Sequence, residues 1–318
     1  MGILLTGVCF FGLFSCSPSP PQVLDLDIDT LIAEQEYDQA EIKIKDALAE
    51  HPRQPDLLYN LATIQRLQND FTAARNTALT AESLAPQDPD IQLLLAQLAL
   101  DSGQVQKAWD TLMKLELETR QTPEAQLVMG LVHAQLGNWV DAESAFRGAL
   151  QDPNASAVPK AYLAFVLLKM GQTDLAKDWL QKAKETANPS ETAVRQIAEC
   201  YLALGNPQEA KELAYSLNPE QQNDARLWSI IGRANLKLLD FGKAESTFTR
   251  AIACPNSDAW NLVEYATMLF AAQREDEALQ KAQEAEEMLT ANNAEITTPT
   301  LYNLLATLYA RRGQYLLA

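Results

Sequence analysis

Alanine recurs every 34 residues along most of the chain, and this period constrains the fold more than any other feature of the sequence. The residues that carry it are Ala40, Ala74, Ala108, Ala142, Ala176, Ala210, Ala244 and Ala278. A second column with the same period contains only small residues, namely Ala62, Ala96, Gly130, Ala164, Ala198, Gly232 and Ala266. Small side chains at fixed positions let two helices approach closely. The sequence therefore predicts an array of helix pairs, and not the two separate domains that 318 residues would otherwise suggest.

With the recurrent alanine placed at position 20, the units of 34 residues resemble tetratricopeptide repeats. Position 7 is large and apolar in Leu61, Leu95, Met129, Leu163, Ile197 and Ile231, and position 17 is aromatic in Tyr37, Phe71, Trp139, Phe241 and Tyr315. The resemblance covers residues 21–318 and implies an all-α fold, a right-handed α-solenoid of antiparallel helix pairs with a concave groove. Eight complete units are predicted, followed by an incomplete ninth that begins at Pro299. Because the chain ends at Ala318, in the opening turn of a second helix that would begin at Tyr315, we expect the sequence to be cut from a longer protein or to be an incomplete gene model.

Glycine and proline lie at the predicted helix boundaries. Position 15, the turn between the two helices of a unit, holds Gly103, Gly137, Gly171, Gly205 and Gly313, where a helix C-terminus favours a residue that tolerates positive φ. Nearly all prolines beyond residue 21 fall at or beside the junctions between units, and Pro207 opens a second helix, where the first helical position accepts proline.

Residues 1–15 are apolar and carry no charge, which is typical of a secretory signal peptide and too short to span a bilayer. Leu13 and Ser15 before Cys16 resemble the lipobox of bacterial lipoproteins, a resemblance that implies lipidation of Cys16. Residues 16–24 then form a tether rich in proline and serine. Ser17 resembles the residue that follows the cysteine in lipoproteins of the outer membrane, which implies a location facing the periplasm. A signal cleaved without lipidation, an uncleaved anchor and N-myristoylation of Gly2 are the alternatives.

The composition argues against several classes of function. The chain has 25 Lys and Arg against 42 Asp and Glu, a formal charge of −17, which argues against nucleic acid as the partner. No set of residues with metal-ligand spacing or with a nucleophile, a base and an oxyanion site is evident, so we expect no metal, no cofactor, no small-molecule substrate and no enzymatic activity. His133 is interpreted as a packed helix residue. Cys200 and Cys254 are interpreted as buried thiols in different units, and not as a disulfide.

In tetratricopeptide repeats, positions 2, 5, 9, 12 and 13 of each first helix line the groove. Here the resemblance implies an apolar stretch formed by Leu93, Leu127, Leu131 and Phe165. It also places acidic residues toward the N-terminal half, namely Asp56, Asp90, Asp101 and Glu124, and basic residues toward the C-terminal half, namely Lys169, Arg195, Arg226, Arg233 and Lys237. Such a groove would bind proteins or peptides and orient a partner with an acidic end. The alternatives are that the apolar residues are core contacts between adjacent first helices and that the charges are a solvated helix face.

These features predict a non-enzymatic protein–protein interaction scaffold, anchored to a membrane by the lipid on Cys16. Similar families assist the assembly of cell-envelope complexes, of the pilus and secretin type or the polysaccharide-export type. The Lys and Asn clamp of chaperone-binding repeats is absent, since Tyr59 and Thr63 occupy its positions around Asn60. The alternative function is a substrate-recruiting arm of a larger enzyme, such as a glycosyltransferase.

Overall fold

The structure is a computed structural model that describes residues 28–34, 36–152, 154–291 and 299–313. Within these ranges the chain forms α-helices and no strand. The helices are α1 (Ile28–Ala33), α2 (Tyr37–Glu50), α3 (Pro55–Leu67), α4 (Phe71–Leu84), α5 (Pro89–Asp101), α6 (Val105–Lys114), α7 (Leu117–Arg120), α8 (Pro123–Gln135), α9 (Trp139–Ala149), α10 (Ala157–Lys169), α11 (Thr173–Lys184), α12 (Glu191–Ala203), α13 (Pro207–Ser216), α14 (Pro219–Gln222), α15 (Ala225–Lys237), α16 (Phe241–Ala253), α17 (Ala259–Ala271), α18 (Glu275–Ala291) and α19 (Pro299–Arg311).

The helix boundaries repeat with the period of the sequence. The first helices of units 2 to 8 are α3, α5, α8, α10, α12, α15 and α17, and each has 13 residues. The second helix of every unit from 1 to 8 begins at position 17. Proline is the first residue of α3, α5 and α8, where its missing N–H has no partner to lose. The predicted fold class, an α-solenoid of helix pairs, is confirmed.

The alanine column forms the contact between the two helices of each unit. All eight alanines are buried with at most 1% of their surface exposed. Around them the core is a series of small clusters that cross from one unit to the next. One such cluster joins Ala142 and Phe146 of α9 to Leu163, Val166 and Leu167 of α10. Each unit therefore buries its apolar surface against its neighbours, as expected of a solenoid.

The turn at position 15 has positive φ in every unit where it is described. Five of these residues are the predicted glycines, and the other three are Asn69, Leu239 and Gln273. Asparagine tolerates the left-handed region because its short polar side chain can bond locally, whereas leucine and glutamine do not share that advantage. The turn geometry is therefore set by the helix pair, and the residue at position 15 adopts it whatever its side chain.

Two short helices, α7 and α14, were not predicted from the sequence. Each follows a second helix of only 10 residues, α6 or α13. In both units position 27 is leucine, Leu115 or Leu217, where other units have alanine, and this leucine is the residue at which the second helix stops. Pro219 reinforces the end of α13, because Asn218, the residue before this proline, disfavours the helical conformation.

None of the helices in the described ranges is long and apolar enough to cross a membrane. The predicted signal peptide, Cys16, the tether and the start of a ninth second helix at Tyr315 all lie outside the described residues. They stay predictions.

Candidate partner-binding groove

First helices of neighbouring units lie side by side. α5 contacts both α3 and α8, α10 contacts α12, and α15 contacts both α12 and α17. Leu127 and Leu131 of α8 pack against the cluster that contains Leu163 of α10. Each second helix packs against the first helix of its own unit and of the next. The residues at positions 2, 5, 9, 12 and 13 of the first helices thus occupy one surface, which we call the groove.

The apolar residues predicted for the groove fall into two groups. Leu93 is only 7% exposed and packs in a cluster with Ala96 and Val128, so its contacts are those of a core residue between adjacent first helices. Leu127, Leu131 and Phe165 are half-buried at the edge of neighbouring clusters and keep part of their surface open. We call these three residues the apolar floor.

The acidic residues predicted for the groove also fall into two groups, one paired with an arginine and the other unpaired among the described residues. Asp101 accepts a hydrogen bond from Arg66 Nε at 2.6 Å, and the two charges offset each other. Asp56, Asp90 and Glu124 are the second residues of α3, α5 and α8. All three are exposed, and none forms an ion pair with any residue in the described part of the chain. We call them the acidic rim.

Members of the acidic rim act on one another electrostatically. The pKa of Asp90 is raised above its usual range, first by partial burial, then by the charges of Asp88 and Glu124. Asp90 also raises the pKa of Tyr59, after the larger effect of burial, which places Tyr59 of α3 beside the start of α5. A charge that raises the pKa of a like-charged neighbour is close to it and not neutralised. Asp90 and Glu124 therefore contribute to one region of negative potential at the start of α5 and α8.

Arg195 lies on the groove side of α12, but its charge is paired with a carboxylate of the protein itself. Its Nη1 lies 2.6 Å from Oδ2 of Asp224, a carboxylate that is only 1% exposed. The other oxygen of Asp224 accepts hydrogen bonds from Asn256 Nδ2 and from the backbone N–H of Arg226, both at 2.9 Å. Asp224 caps α15 in this way, so Arg195 joins unit 6 to the start of unit 7.

Arg233 is also paired, between two carboxylates of the neighbouring units. Its Nη1 donates to Glu199 Oε2 at 2.9 Å, and its Nε lies 3.1 Å from Glu264 Oε1. Glu264, which is 7% exposed, also accepts hydrogen bonds from Trp260 Nε1 and from Ser229 Oγ. Burial raises the pKa of Glu264 to about 7, and the nearby Arg233 only partly opposes this. Arg195 and Arg233 thus connect units 6, 7 and 8.

Three predicted cations remain exposed. Lys169 Nζ lies 5.1 Å from the ring centroid of Phe165, and Lys237 forms no ion pair among the described residues. The guanidinium carbon of Arg226 lies 5.7 Å from the ring centroid of Phe71, which belongs to unit 2. This last contact joins units far apart in sequence.

The chemistry of the other candidate residues is that of packing. His133 sets its ring edge against Trp109 with centroids 5.2 Å apart, and its buried Nδ1 has no hydrogen-bond partner in the described part of the chain. Cys200 and Cys254 are both buried and unbonded to each other, and burial raises the pKa of both thiols. Across the described ranges no three metal-ligating side chains come together.

Comparison with known proteins gives the same architecture. The sequence profile of the tetratricopeptide repeat family matches residues 28–89, 66–116 and 93–157. The fold is similar to a tetratricopeptide repeat protein from Parabacteroides merdae, at 21% identity and TM-score 0.52, over 76% of this chain and 96% of that chain. No curated protein sequence matches the chain.

Two further solved structures are similar over most of the described array. One is a chain of the APC/C hetero-tetramer Cut9–Hcn1, at 16% identity and TM-score 0.60, over 89% of this chain and 54% of that one. The other is human IFIT1 in its dimer with PPP-AAAA, at 15% identity and TM-score 0.60, over 91% of this chain and 71% of that one. At these identities the likeness concerns the fold alone.

Proposed function

We propose that the chain is a non-enzymatic interaction scaffold of the tetratricopeptide repeat type, whose groove binds a protein or peptide segment. The family profile matches residues 28–157, and the fold is similar to that of a tetratricopeptide repeat protein. The observation that carries the proposal is the apolar floor. Leu127, Leu131 and Phe165 occupy groove positions of units 4 and 5 and are half-buried, whereas Leu93, at a groove position of unit 3, is buried. Apolar side chains of neighbouring helices that share one open surface favour a partner that covers them.

We further propose that the scaffold is held at the outer membrane by a lipid on Cys16, facing the periplasm. There it would assist the assembly of a cell-envelope complex of the pilus and secretin type or the polysaccharide-export type. The support for this part is the sequence of the first 17 residues, with its uncharged apolar run before Leu13, Ser15 and Cys16.

Crosslinking in the native cell tests the groove. A photoreactive amino acid at Leu131 or Phe165 should capture a protein partner, and the same group at Val140 on α9 should not. Val140 is 69% exposed, so it is more accessible than either floor residue and controls for exposure alone. Equal capture from all three positions, or from Val140 only, would overturn the proposed role of the groove.

Membrane fractionation tests the anchor separately. The Cys16→Ala variant should move from the membrane fraction to the soluble fraction, because it loses the only side chain that could carry the lipid in the proposed scheme. Retention of the variant in the membrane would show that the anchor is not a lipid on Cys16. The groove proposal would be unaffected by that result.

A further inference from the structure

The charges left unpaired in the groove point to the chemistry of its partner. We propose that the apolar floor and the acidic rim together bind a basic amphipathic helix, whose apolar face covers Leu127, Leu131 and Phe165 and whose Lys or Arg side chains meet Asp56, Asp90 and Glu124. This inference rests on the proposed function, because it names the partner of the same groove.

The acidic rim has no internal counter-charge. A carboxylate in the first turn of a helix is stabilised by the helix dipole, which accounts for one acidic residue at the start of α3, α5 or α8 taken singly. It does not account for the repulsion that Asp90 experiences from Glu124 of the rim and from Asp88, the residue that caps α5. A cation placed along the rim would relieve that repulsion and gain attraction from several carboxylates at once.

The arginines of the groove do not cancel the rim. Arg66, Arg195 and Arg233 each pair with a carboxylate that is not part of it, at Asp101, Asp224 or Glu199. The exposed cations Lys169, Arg226 and Lys237 form no ion pair with the rim; Lys169 lies beside Phe165, and Arg226 lies against Phe71 of unit 2. A segment that lies along units 2 to 5 therefore meets the rim carboxylates at one edge and the apolar floor beneath, with Lys169 at its unit 5 end.

The spacing of the rim suits a helix. Adjacent first helices in such an array lie about 8–10 Å apart, so equivalent carboxylates of units 2, 3 and 4 repeat at roughly that distance. Side chains seven residues apart on a helix lie on nearly the same face, about 10.5 Å apart. A partner helix with basic residues every seven positions can thus place one cation near each rim carboxylate.

Fluorescence anisotropy with two synthetic peptides tests the inference on the full-length chain. Both peptides are amphipathic helices of three heptads with the same leucine face; one has Lys, and the other Glu, at the heptad positions that would face the rim. The Lys peptide should bind at least tenfold more tightly than the Glu peptide. Its affinity should fall as salt is raised from about 0.05 M to 0.5 M, because ions screen exposed charges.

A charge-neutral rim provides the matched variant. Asp56→Asn, Asp90→Asn and Glu124→Gln combined should weaken binding of the Lys peptide at least tenfold and remove most of its salt dependence. The control variant carries Asp141→Asn, Asp178→Asn and Glu209→Gln, which remove the same number of exposed carboxylates from second helices. The control should bind the Lys peptide within about twofold of the unmodified chain, and thermal melts should show both variants folded.

The outcomes separate this inference from the function it rests on. One combined outcome is that both peptides bind equally well, the rim variant binds like the unmodified chain and Phe165→Ala abolishes binding. In that case the groove is a partner site but the charge inference is wrong. If neither peptide binds, the basic-helix inference is overturned. The groove itself would be overturned by the crosslinking experiment in the cell, if Leu131 and Phe165 captured no partner or captured no more than Val140.

Discussion

Glycine at position 8 and phenylalanine at position 24 form a complementary pair within a unit. A Cβ atom added to Gly130 would lie 2.6 Å from Cε1 of Phe146, and one added to Gly232 would lie 2.8 Å from Cε1 of Phe248. Units with alanine at position 8 have a smaller residue opposite, such as Leu180 opposite Ala164. Phenylalanine at position 24 therefore occurs in the two units where glycine at position 8 leaves room for its ring.

We expect Gly130→Ala to lower the free energy of unfolding by about 1–2 kcal/mol. Overpacking a core costs about 1–3 kcal/mol, and the better helix propensity of alanine returns at most about 1 kcal/mol. Adding Phe146→Leu should restore most of the loss, because the double variant reproduces the alanine and leucine pair of unit 5. Urea denaturation of the three proteins measures this; a single variant as stable as the unmodified chain would contradict it.

Leu239 has a backbone conformation that its side chain disfavours. It has φ of 60° and is 74% exposed, so it bears the strain of the left-handed region and contributes little burial. Leu239→Gly should raise the free energy of unfolding by about 1 kcal/mol, since non-glycine residues lose about 1–2 kcal/mol in that region. The reciprocal change Gly205→Leu, at the same position of another unit with φ of 80°, should lower it by a similar amount. Thermal unfolding midpoints that shift in the same direction for both variants would refute this account.

On the scale of elements, α17 is sensitive to pH through Glu264. Because the native pKa of about 7 lies above the unfolded value of 4.5, the folded protein holds a proton there that the unfolded chain releases. The resulting stabilisation is fully present below pH 4.5 and is lost as pH rises through 7. Hydrogen exchange of α17 amides should accordingly report a loss of about 3 kcal/mol across this window, beyond the intrinsic pH effect on exchange. Glu264→Gln should flatten the profile, whereas Glu287→Gln at an exposed position of α18 should leave it unchanged.

The sequence predicted the helix boundaries better than it predicted the ion pairs between helices. Helix starts follow from the period because positions 1 and 17 are set by proline, aromatic and alanine columns, each of which has a local cause. The short helices α7 and α14 were missed because the leucine at position 27 was read only as a larger core residue. The replacement of alanine by leucine at both Leu115 and Leu217 is the sequence signal that could have predicted these short helices.

The sequence predicted which positions line the groove but not which of its charged residues are paired. The positions that line it follow from the repeat register, and Leu127, Leu131 and Phe165 were found that way. The neutralisation of Arg195 and Arg233 was not foreseen, because Asp224 and Glu264 lie at positions that do not line the groove and Glu199, although it is at groove position 9, was not recognised as a partner. Pairing between units depends on how neighbouring helices are rotated, which one linear period does not encode.

For the molecule as a whole, the array curves until distant units meet. Arg226 of α15 reaches Phe71 of α4, and the charges of Glu191 and Arg195 in α12 act on the hydroxyl of Tyr37 in α2. We expect Arg226→Ala to open this curve and increase the radius of gyration measured by small-angle X-ray scattering. Lys237→Ala removes the same charge from the same helix and should not; equal scattering from both variants would show that the contact does not hold the curve.

A linear solenoid has a stability that is the sum of unit and nearest-neighbour terms. The contact between Phe71 and Arg226 adds a term that links the second unit to the seventh across the groove. Tension applied at the N-terminal end of this array therefore does not pass only through the intervening helices in sequence. It is shared at once with unit 7, so that pulling on one end changes the load on a helix nearly two hundred residues away along the chain.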